Sequence, residues 1–449
     1  MSEHPTDVDR VLAELREQGV DVVRISYADM IGIDRGRDIL LEELPAARHH
    51  GLGFCRATFH TTPQGDVVPI PGGLDAGLPD VNVVPDLTTL APLPWAPGTA
   101  WALAEVFELD GSPFEESPRH LLARVEDRLA EVGLRGVVGP ELEYFLLEPD
   151  ASAPSGWRRY GDAPGNVYVV GAKGDPSGHL LKTLRLLRDA GLAVSAANHE
   201  FCGGQFEINL KHSAGLDAAD RAFRLKSSIQ EIARLDGLQA TFMAKPFNDE
   251  GGSGFHLHLS LVDDAGRNVI DDPDGEHGLS TTAHQAIAGI LAHAPALSAL
   301  LNPTINSYKR FGPDTLAPWL IDWGLDNRSA MLRVPAERGE TTRLELRLGD
   351  ASANPYLGIA GLIGATYLGI RDRIEPPRPS AGYGYDPSKA PTLPATLSDA
   401  LAYLEEDTAM VEVLGKDFVR SYVDFKWEEV ARFQRFVTDW EFTEYAYHL

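Results

Sequence analysis

GPELEYF, residues 139–145, places two glutamates inside a run that otherwise has the composition of a buried β-strand. Side chains alternate between the two faces of a strand, so Glu141 and Glu143 lie on one face while Leu142 and Tyr144 lie on the other. Two neighbouring carboxylates repel each other, and each loses favourable hydration on burial. Because this arrangement is unfavourable by itself, it indicates that the polar face of the strand has a function.

Three further segments repeat the pattern of one polar and one apolar face. They are GQFEINL at 204–210, FHLHLS at 255–260 and TRLELRL at 342–348, with polar positions Gln205, Glu207, Asn209, His256, His258, Ser260, Arg343, Glu345 and Arg347. A strand with one solvated face is a sufficient explanation for any one of them alone. Together with GPELEYF they predict one curved sheet whose polar faces converge on a funnel.

The residue types on these faces indicate a chemistry. Carboxylates with an occasional imidazole, here His256, suit the hard cations Mg²⁺ and Mn²⁺. Arginines bind anions through forked hydrogen bonds. Cations placed between carboxylates and anionic substrates are typical of phosphoryl transfer or phosphate-ester chemistry. No GxxxxGK[ST] loop or dinucleotide fingerprint occurs, so a bound nucleotide would be held by metals and arginines.

The size and charge of the chain limit its organisation and its partners. At 449 residues we expect two or more domains, and we place a boundary near residue 112, just before the helix that opens at Ser117-Pro118. Beyond it, strands alternate with helical patterns, which indicates an α+β or α/β fold, and a final helical pair is predicted over about residues 396–445. The formal charge of −26 argues against nucleic acids and anionic membrane surfaces as partners.

Three further features of the sequence favour a cytoplasmic protein. The polar N-terminal segment at residues 1–10 lacks the apolar core of a signal peptide. The longest apolar run, residues 356–370, is shorter than the ~20 residues of a membrane helix. Only two cysteines occur, so no disulfide framework is expected.

Seven stretches in chain order resemble type I glutamine synthetase over nearly the whole sequence. They are GPELEYF, NHEFCGGQFEI (198–208), GSGFHLHLS (252–260), NSYKR (306–310), DNRSAMLRVP (326–335), RLELRLGDASANPYL (343–357) and VTDWEFTEY (437–445). The resemblance implies an α+β fold with a small N-terminal β-grasp-like domain (1–112) and a large catalytic domain (113–449) built on a curved antiparallel sheet flanked by helices. It also implies a homo-dodecamer of two rings, with active sites between subunits.

Carried over by position, the resemblance assigns roles to individual residues. One metal site would comprise Glu143, Glu200 and Glu207, and the other Glu141, His256 and Glu345. ATP would contact His258, Ser260, Arg328, Arg333 and Arg343, of which Arg328 and Arg333 offset charge on the transferred phosphoryl group. Glutamate would be held by Gly252, Arg310 and Arg347. The implied reaction activates the γ-carboxylate of glutamate with ATP, and an amine then attacks the acyl phosphate.

The sequence departs from the ammonia-using members of that family at two acidic positions. Cys55 stands where they carry the aspartate of Phe-Asp-Gly-Ser, and Leu316 in DTLAP replaces the glutamate of Tyr-Glu-Ala-Pro. A milder departure is Gly251, which precedes GSG in place of asparagine. With the groups that attract and deprotonate ammonium absent, the pattern is similar to that of glutamate–amine ligases, such as γ-glutamylputrescine synthetase. Asp314 is then a candidate base.

Three alternatives stay open at this point. The chain is compatible with a true glutamine synthetase whose ammonium site has moved, with a non-catalytic binding or regulatory member, and with a two-metal phosphohydrolase. The six metal-ligand positions weigh against the non-catalytic alternative. Arg310 and Arg347, as binders of an acid substrate, favour the ligase over the phosphohydrolase. The identity of the amine does not follow from the sequence.

Overall fold

The first sheet lies in the N-terminal part of the chain. A computed structural model describes residues 6–153 and 155–449, so the first five residues of the polar N-terminal segment lie outside the described residues. The strands of this sheet are β1 (Val22–Ala28), β2 (Asp34–Leu40), β3 (Leu52–Cys55), β4 (Asp80–Pro85), β5 (Ala91–Pro92) and β6 (Thr99–Phe107). The order is β2-β1-β6-β4-β3, with β5 beside β6, and within this sheet, as far as it is described, β1–β6 is the one parallel pair.

Two helices cover this first sheet and share its core. They are α1 (Thr6–Glu17) and α2 (Leu44–His50). Leu12 and Leu15 of α1 and Leu44 of α2 are buried in one cluster with Val23 and Val83 of the sheet. The small N-terminal β-grasp-like unit is therefore present, whereas the exact boundary near residue 112 stays a prediction.

The second sheet carries all four segments with one polar face. Its strands are β7 (Arg135–Pro149), β8 (Trp157–Arg159), β9 (Val194–His199), β10 (Gln205–Leu210), β11 (Ser213–Ala214), β12 (Gln239–Thr241), β13 (Phe255–Val262), β14 (Trp323–Leu325), β15 (Leu332–Val334) and β16 (Leu344–Leu346). The order is β14-β15-β16-β13-β7-β10-β9, and β8, β11 and β12 also pair with the long strand β7. The predicted curved antiparallel sheet is confirmed, with a parallel β14–β15 pair at one end.

The remaining helices flank this sheet. They are α3 (Pro118–Glu131), α4 (His179–Asp189), α5 (Gly215–Leu235), α6 (Thr281–Ala292), α7 (Ala294–Leu301), α8 (Pro355–Asp372), α9 (Leu397–Glu406), α10 (Thr408–Leu414), α11 (Lys416–Gln434) and α12 (Asp439–Tyr445). As predicted, the hydroxyl of Ser117 caps α3, accepting a hydrogen bond from the amide of His120. The C-terminal region, predicted as a helical pair, forms four helices, because the helical conformation is interrupted at Asp407, at Gly415 (φ 92°) and again at residues 435–438.

The apolar run at 356–370 forms α8, a helix buried along nearly its whole length. Gly289 of α6 and Gly369 of α8 let the two backbones touch, since a Cβ at either would lie about 2 Å from a carbonyl oxygen of the other helix. No single helix among the described residues has the length and apolarity needed to cross a membrane. Helices α6 and α7 meet that requirement only when taken together, and they are bent by 71°.

Candidate active site

The four polar-faced strands lie side by side as β16, β13, β7 and β10, and their register brings the polar residues into cross-strand pairs. His256 on β13 lies opposite Glu141 on β7, and Glu207 on β10 lies opposite Glu143. On the other side of β13, His258 lies opposite Glu345 on β16. Alternation along each strand turns these side chains to one face, while their apolar neighbours pack into the core.

A cavity of about 380 Å³ opens on this face. It is lined by all six residues assigned to metal sites (Glu141, Glu143, Glu200, Glu207, His256 and Glu345), by all five arginines (Arg310, Arg328, Arg333, Arg343 and Arg347), and by Gly252, His258 and Leu316. A larger adjoining cavity of about 1240 Å³ is bordered by Ser260 together with Glu141, His258 and Arg343. The structure therefore brings the predicted residues together around two adjoining cavities, and Ser260 lies with His258 and Arg343 at the second.

The carboxylates of this cluster differ strongly in their affinity for protons. Burial, and then repulsion by Glu141 and Glu143, raises the pKa of Glu207 from 4.5 to about 9. Burial and the charge of Glu143 raise the pKa of Glu200 to about 7. Such carboxylates favour a proton or a cation beside them, because either one removes the repulsion.

Two other carboxylates are held in the charged form. Burial opposes the charge on Glu345, yet Arg347 and the nearby imidazoles lower its pKa to about 2. Burial likewise opposes the charge on Glu141, but interactions with His256 and His258 keep its pKa well below 4.5. Nε2 of His258 lies 3.0 Å from a carboxylate oxygen of Glu141.

Two groups of side chains have ligand atoms within 4.8 Å of one another, the spacing that a shared cation needs. One group is Glu141, His258 and Glu345, and the other is Glu141, Glu207 and His256. This grouping differs from the predicted one, since His258 replaces His256 beside Glu345, and Glu141 lies nearer to Glu207 than the assignment implied. Which residues form each of the two sites stays a prediction.

Arginines connect the cluster to the rest of the cavity. Arg347 donates to one oxygen of Glu345 at 2.6 Å and to the carbonyl of Arg328 at 3.0 Å. Arg333 donates to the other oxygen of Glu345 at 2.5 Å. Arg310 is buried, donates to the carbonyl of Leu348 at 3.2 Å, and has its pKa lowered by that burial. These guanidinium groups form a positively charged wall suited to anionic groups of a substrate.

The loop that carries Leu316 approaches the same cavity in an unusual conformation. Leu316 has φ 63°, is 53% exposed and lines the cavity. A left-handed backbone is rare for a leucine, so the surrounding loop holds it there. Asp314, the candidate base, also has a left-handed φ of 61°, but it is not among the described residues that line the cavity.

Cys55 lies at the end of β3, away from this cavity, with its thiol 3.8 Å from the carbonyl oxygen of Leu78. The neighbouring Arg56 pairs with Glu108 and covers the ring of Phe114. A contribution of Cys55 to the site therefore requires a second copy of the chain, which stays a prediction.

Sequence reasoning gave no role in a site to several residues of the cavity wall, among them Tyr168, Phe201, Cys202 and Gln205. The side-chain amide of Gln205 donates to Glu143 at 3.2 Å and to the carbonyl of Gly252 at 3.0 Å, so it links the carboxylate cluster to the backbone at Gly252. The position of Gln205 on the polar face of GQFEINL is the sequence feature that could have identified it as a cavity residue. Phe201 adjoins Glu200 in sequence, and Tyr168 lies in a loop without any periodic pattern.

The raised pKa of Glu207 predicts how the stability of the metal-free protein depends on pH. Between pH 4.5 and about 9 the folded protein retains a proton that the unfolded chain has released, so stability falls as pH rises through this interval. Glu207→Gln removes the titrating group. In a chelator, its melting temperature is expected to exceed that of the parent at pH 8–9, with the difference shrinking towards pH 5.

The matched control is Glu131→Gln, on the exposed surface of α3. It is expected to leave the pH profile unchanged. A stability difference between Glu207→Gln and the parent that is the same at every pH contradicts the assignment of this proton.

Comparisons with known proteins agree with one another. A family model described as the catalytic domain of glutamine synthetase matches residues 115–445. The glutamine synthetase of Halobacterium salinarum is 34% identical over 452 residues, covering 98% of this chain and 97% of that protein. A glutamate–isopropylamine ligase of a Pseudomonas species is 32% identical over 454 residues, covering 99% and 98%. A solved structure of GmaS without ligand matches 97% of this chain and 99% of its own, with TM-score 0.87 and 32% identity.

Proposed function

The chain belongs to the glutamine synthetase family of ligases, and on that premise we propose that it forms a γ-glutamyl amide from glutamate and a primary organic amine, with ATP as co-substrate. Enzymes of this family use ATP and divalent metal ions. In the proposed reaction the γ-phosphoryl group of ATP passes to the γ-carboxylate of glutamate. The neutral amine nitrogen then attacks the acyl carbon, and phosphate leaves.

The carboxylate cluster fits two or more divalent cations, Mg²⁺ or Mn²⁺. The supporting observation is that burial, together with repulsion by neighbouring carboxylates, raises the pKa of Glu207 and Glu200, and bound cations would relieve that repulsion. The proposed ligands are Glu141, Glu143, Glu200, Glu207, His256 and Glu345, with His258 close enough to Glu141 and Glu345 to share in the binding. Such cations neutralise the phosphates of the nucleotide.

The five arginines that line the cavity would bind the anionic groups of the substrates. Arg310 and Arg347, with the backbone at Gly252, are proposed to hold glutamate, since both guanidinium groups are buried beside Glu345 and Glu143. Arg328, Arg333 and Arg343 are proposed to face the nucleotide. His258 and Ser260 would complete the nucleotide side, since both border the larger cavity. Donors fixed in this way stabilise charge that develops on the transferred phosphoryl group.

The single observation that carries the amine as nucleophile is the exposed apolar side chain of Leu316 within the cavity. A carboxylate at this place would attract ammonium and accept its proton, and leucine does neither. Leu316 instead offers a surface that a carbon chain can cover. The Pseudomonas relative, named for isopropylamine, supports an amine as the substrate of this chain too.

The proposal is tested by the choice of nucleophile. At fixed ATP and glutamate, kcat/KM for at least one primary amine among ethanolamine, putrescine and short alkylamines is expected to exceed the value for ammonium. Phosphate release measures the rate, and mass spectrometry identifies the γ-glutamyl product. Ammonium as the best nucleophile of the panel would instead make the chain a glutamine synthetase, a second candidate favoured by the several glutamine synthetases among its relatives.

We also propose a homo-dodecamer with active sites between subunits. Its support is a cluster of exposed apolar side chains at the C-terminus, including Phe436, Trp440 and Phe442, which are 64–70% exposed in a single chain. Exposed apolar groups of this size are typical of protein–protein contacts. Cys55, remote from the cavity of its own chain, would reach a site only across such a contact.

A further inference from the structure

One wall of the active-site cavity is apolar and exposed in the single chain. Tyr168 is 63% exposed, Phe201 is 56% exposed and Leu316 is 53% exposed, and all three line the cavity that holds the carboxylate cluster. Large apolar side chains exposed together beside polar catalytic groups are typical of a ligand-binding surface. We refer to these three residues as the apolar wall.

The apolar wall is fixed next to the carboxylates. Phe201 directly follows Glu200, and its backbone amide is hydrogen-bonded to the Glu200 carboxylate. The amide of Tyr168 donates to the carbonyl of His199 at 2.9 Å, so its loop is anchored to the same turn. Leu316 comes from a separate loop and is held in a left-handed conformation. Three different segments thus place apolar side chains beside one cluster.

The charges of the cavity do not favour a second cation in the substrate. Of the described residues that line it, the acids are the five glutamates of the cluster and Glu337. Glu337 is paired with Arg343 at 3.3 Å. Five arginines also line the cavity, so once cations occupy the cluster its described lining offers no excess of acid to a second ammonium group. A diamine would therefore place its second charge against apolar or positively charged groups.

We propose that the amine substrate carries an uncharged apolar substituent, and that Phe201, Tyr168 and Leu316 select it. This inference rests on the proposed function, since it specifies which amine the ligase accepts. The amine nitrogen would lie towards the carboxylate side, where the acyl phosphate forms. Its carbon chain would cover the apolar wall and remove that surface from water.

The test compares amines that differ in one feature. Methylamine, ethylamine, n-propylamine and n-butylamine form a series in methylene number, and putrescine is n-butylamine with a terminal ammonium group. At fixed ATP and glutamate, kcat/KM is expected to rise about fourfold per methylene over this series, the factor that corresponds to burial of one CH₂. n-Butylamine is expected to exceed putrescine by at least about tenfold.

Variants of Phe201 test whether this side chain causes the preference for longer alkyl chains. In Phe201→Ala the factor by which kcat/KM rises per methylene is expected to fall towards one. Phe201→Leu retains an apolar side chain and is expected to restore most of that factor. The KM values for ATP and glutamate and the melting temperature are expected to stay close to those of the parent. The control is Leu109→Ala, which removes a 71% exposed leucine that does not line the cavity and leaves the series unchanged.

The outcomes separate the two proposals. If alkylamines exceed ammonium but putrescine equals or exceeds n-butylamine, the apolar selection is wrong while the amine ligase stands. An unchanged methylene series in Phe201→Ala likewise overturns the role of the apolar wall. If ammonium exceeds every amine, both the proposed function and this inference are wrong.

Discussion

Glu345→Ala is expected to lower kcat by about three orders of magnitude or more. Glu345 is buried (1% exposed), and its two oxygens accept hydrogen bonds from Arg333 and Arg347. Its loss removes a proposed metal ligand and also leaves two guanidinium groups without their partner. Loss of one preorganised electrostatic group alone costs about 10²–10³ in kcat, so the combined effect exceeds that range.

Rates measured at saturating Mg²⁺ or Mn²⁺ give the size of the loss, and circular dichroism with thermal melting shows whether the fold is retained. Glu141→Ala is expected to behave similarly, since Glu141 belongs to both groups of closely spaced ligand atoms. Glu131→Ala on the surface of α3 serves as the control and is expected to match the parent. Parental rates in either site variant, or full activity after EDTA treatment, would contradict the metal assignment.

Arg347→Ala is expected to raise the activation free energy that corresponds to kcat/KM for glutamate by about 2–5 kcal/mol, the cost of breaking a buried charge pair. At about 1.4 kcal/mol per factor of ten, this is a loss of about thirtyfold to several thousandfold. Arg347 is 7% exposed and already donates to Glu345 and to the carbonyl of Arg328. A buried, oriented guanidinium of this kind can bind a substrate carboxylate without further ordering.

Because Arg347 also touches Glu345, its variant needs a measurement that separates glutamate binding from metal binding. The affinity for Mn²⁺, measured by calorimetry, is expected to change far less than the KM for glutamate. Arg347→Lys keeps the charge but loses the forked geometry, and is expected to recover only part of the activity. Arg158→Ala, at a more exposed arginine outside the cavity, is the control. An unchanged kcat/KM for glutamate in Arg347→Ala removes this residue from the glutamate site.

Alternation with a period of two is a local property of a strand, and for this reason the sequence alone predicted the polar faces of β7, β10, β13 and β16. The order of the motifs along the chain likewise indicated the family and the α+β fold, and both predictions are confirmed. The cap at Ser117 is a local feature too, formed within a single helical turn. The four separate helices after residue 396 were not predicted, because breaks of one to four residues scarcely alter a hydrophobic pattern.

Which polar side chains come into contact with one another was decided by the tertiary structure alone. Register between strands that are distant in sequence sets His256 opposite Glu141 and His258 opposite Glu345, and no local pattern specifies such a register. Tyr168 and Phe201 meet Leu316 around one cavity only because three loops end beside the same sheet. The raised pKa of Glu207 has the same origin: it depends on burial and on three other carboxylates contributed by different parts of the chain. Residue types and spacing thus determined the chemistry available to this protein, whereas long-range packing determined the positions and charges with which that chemistry is carried out.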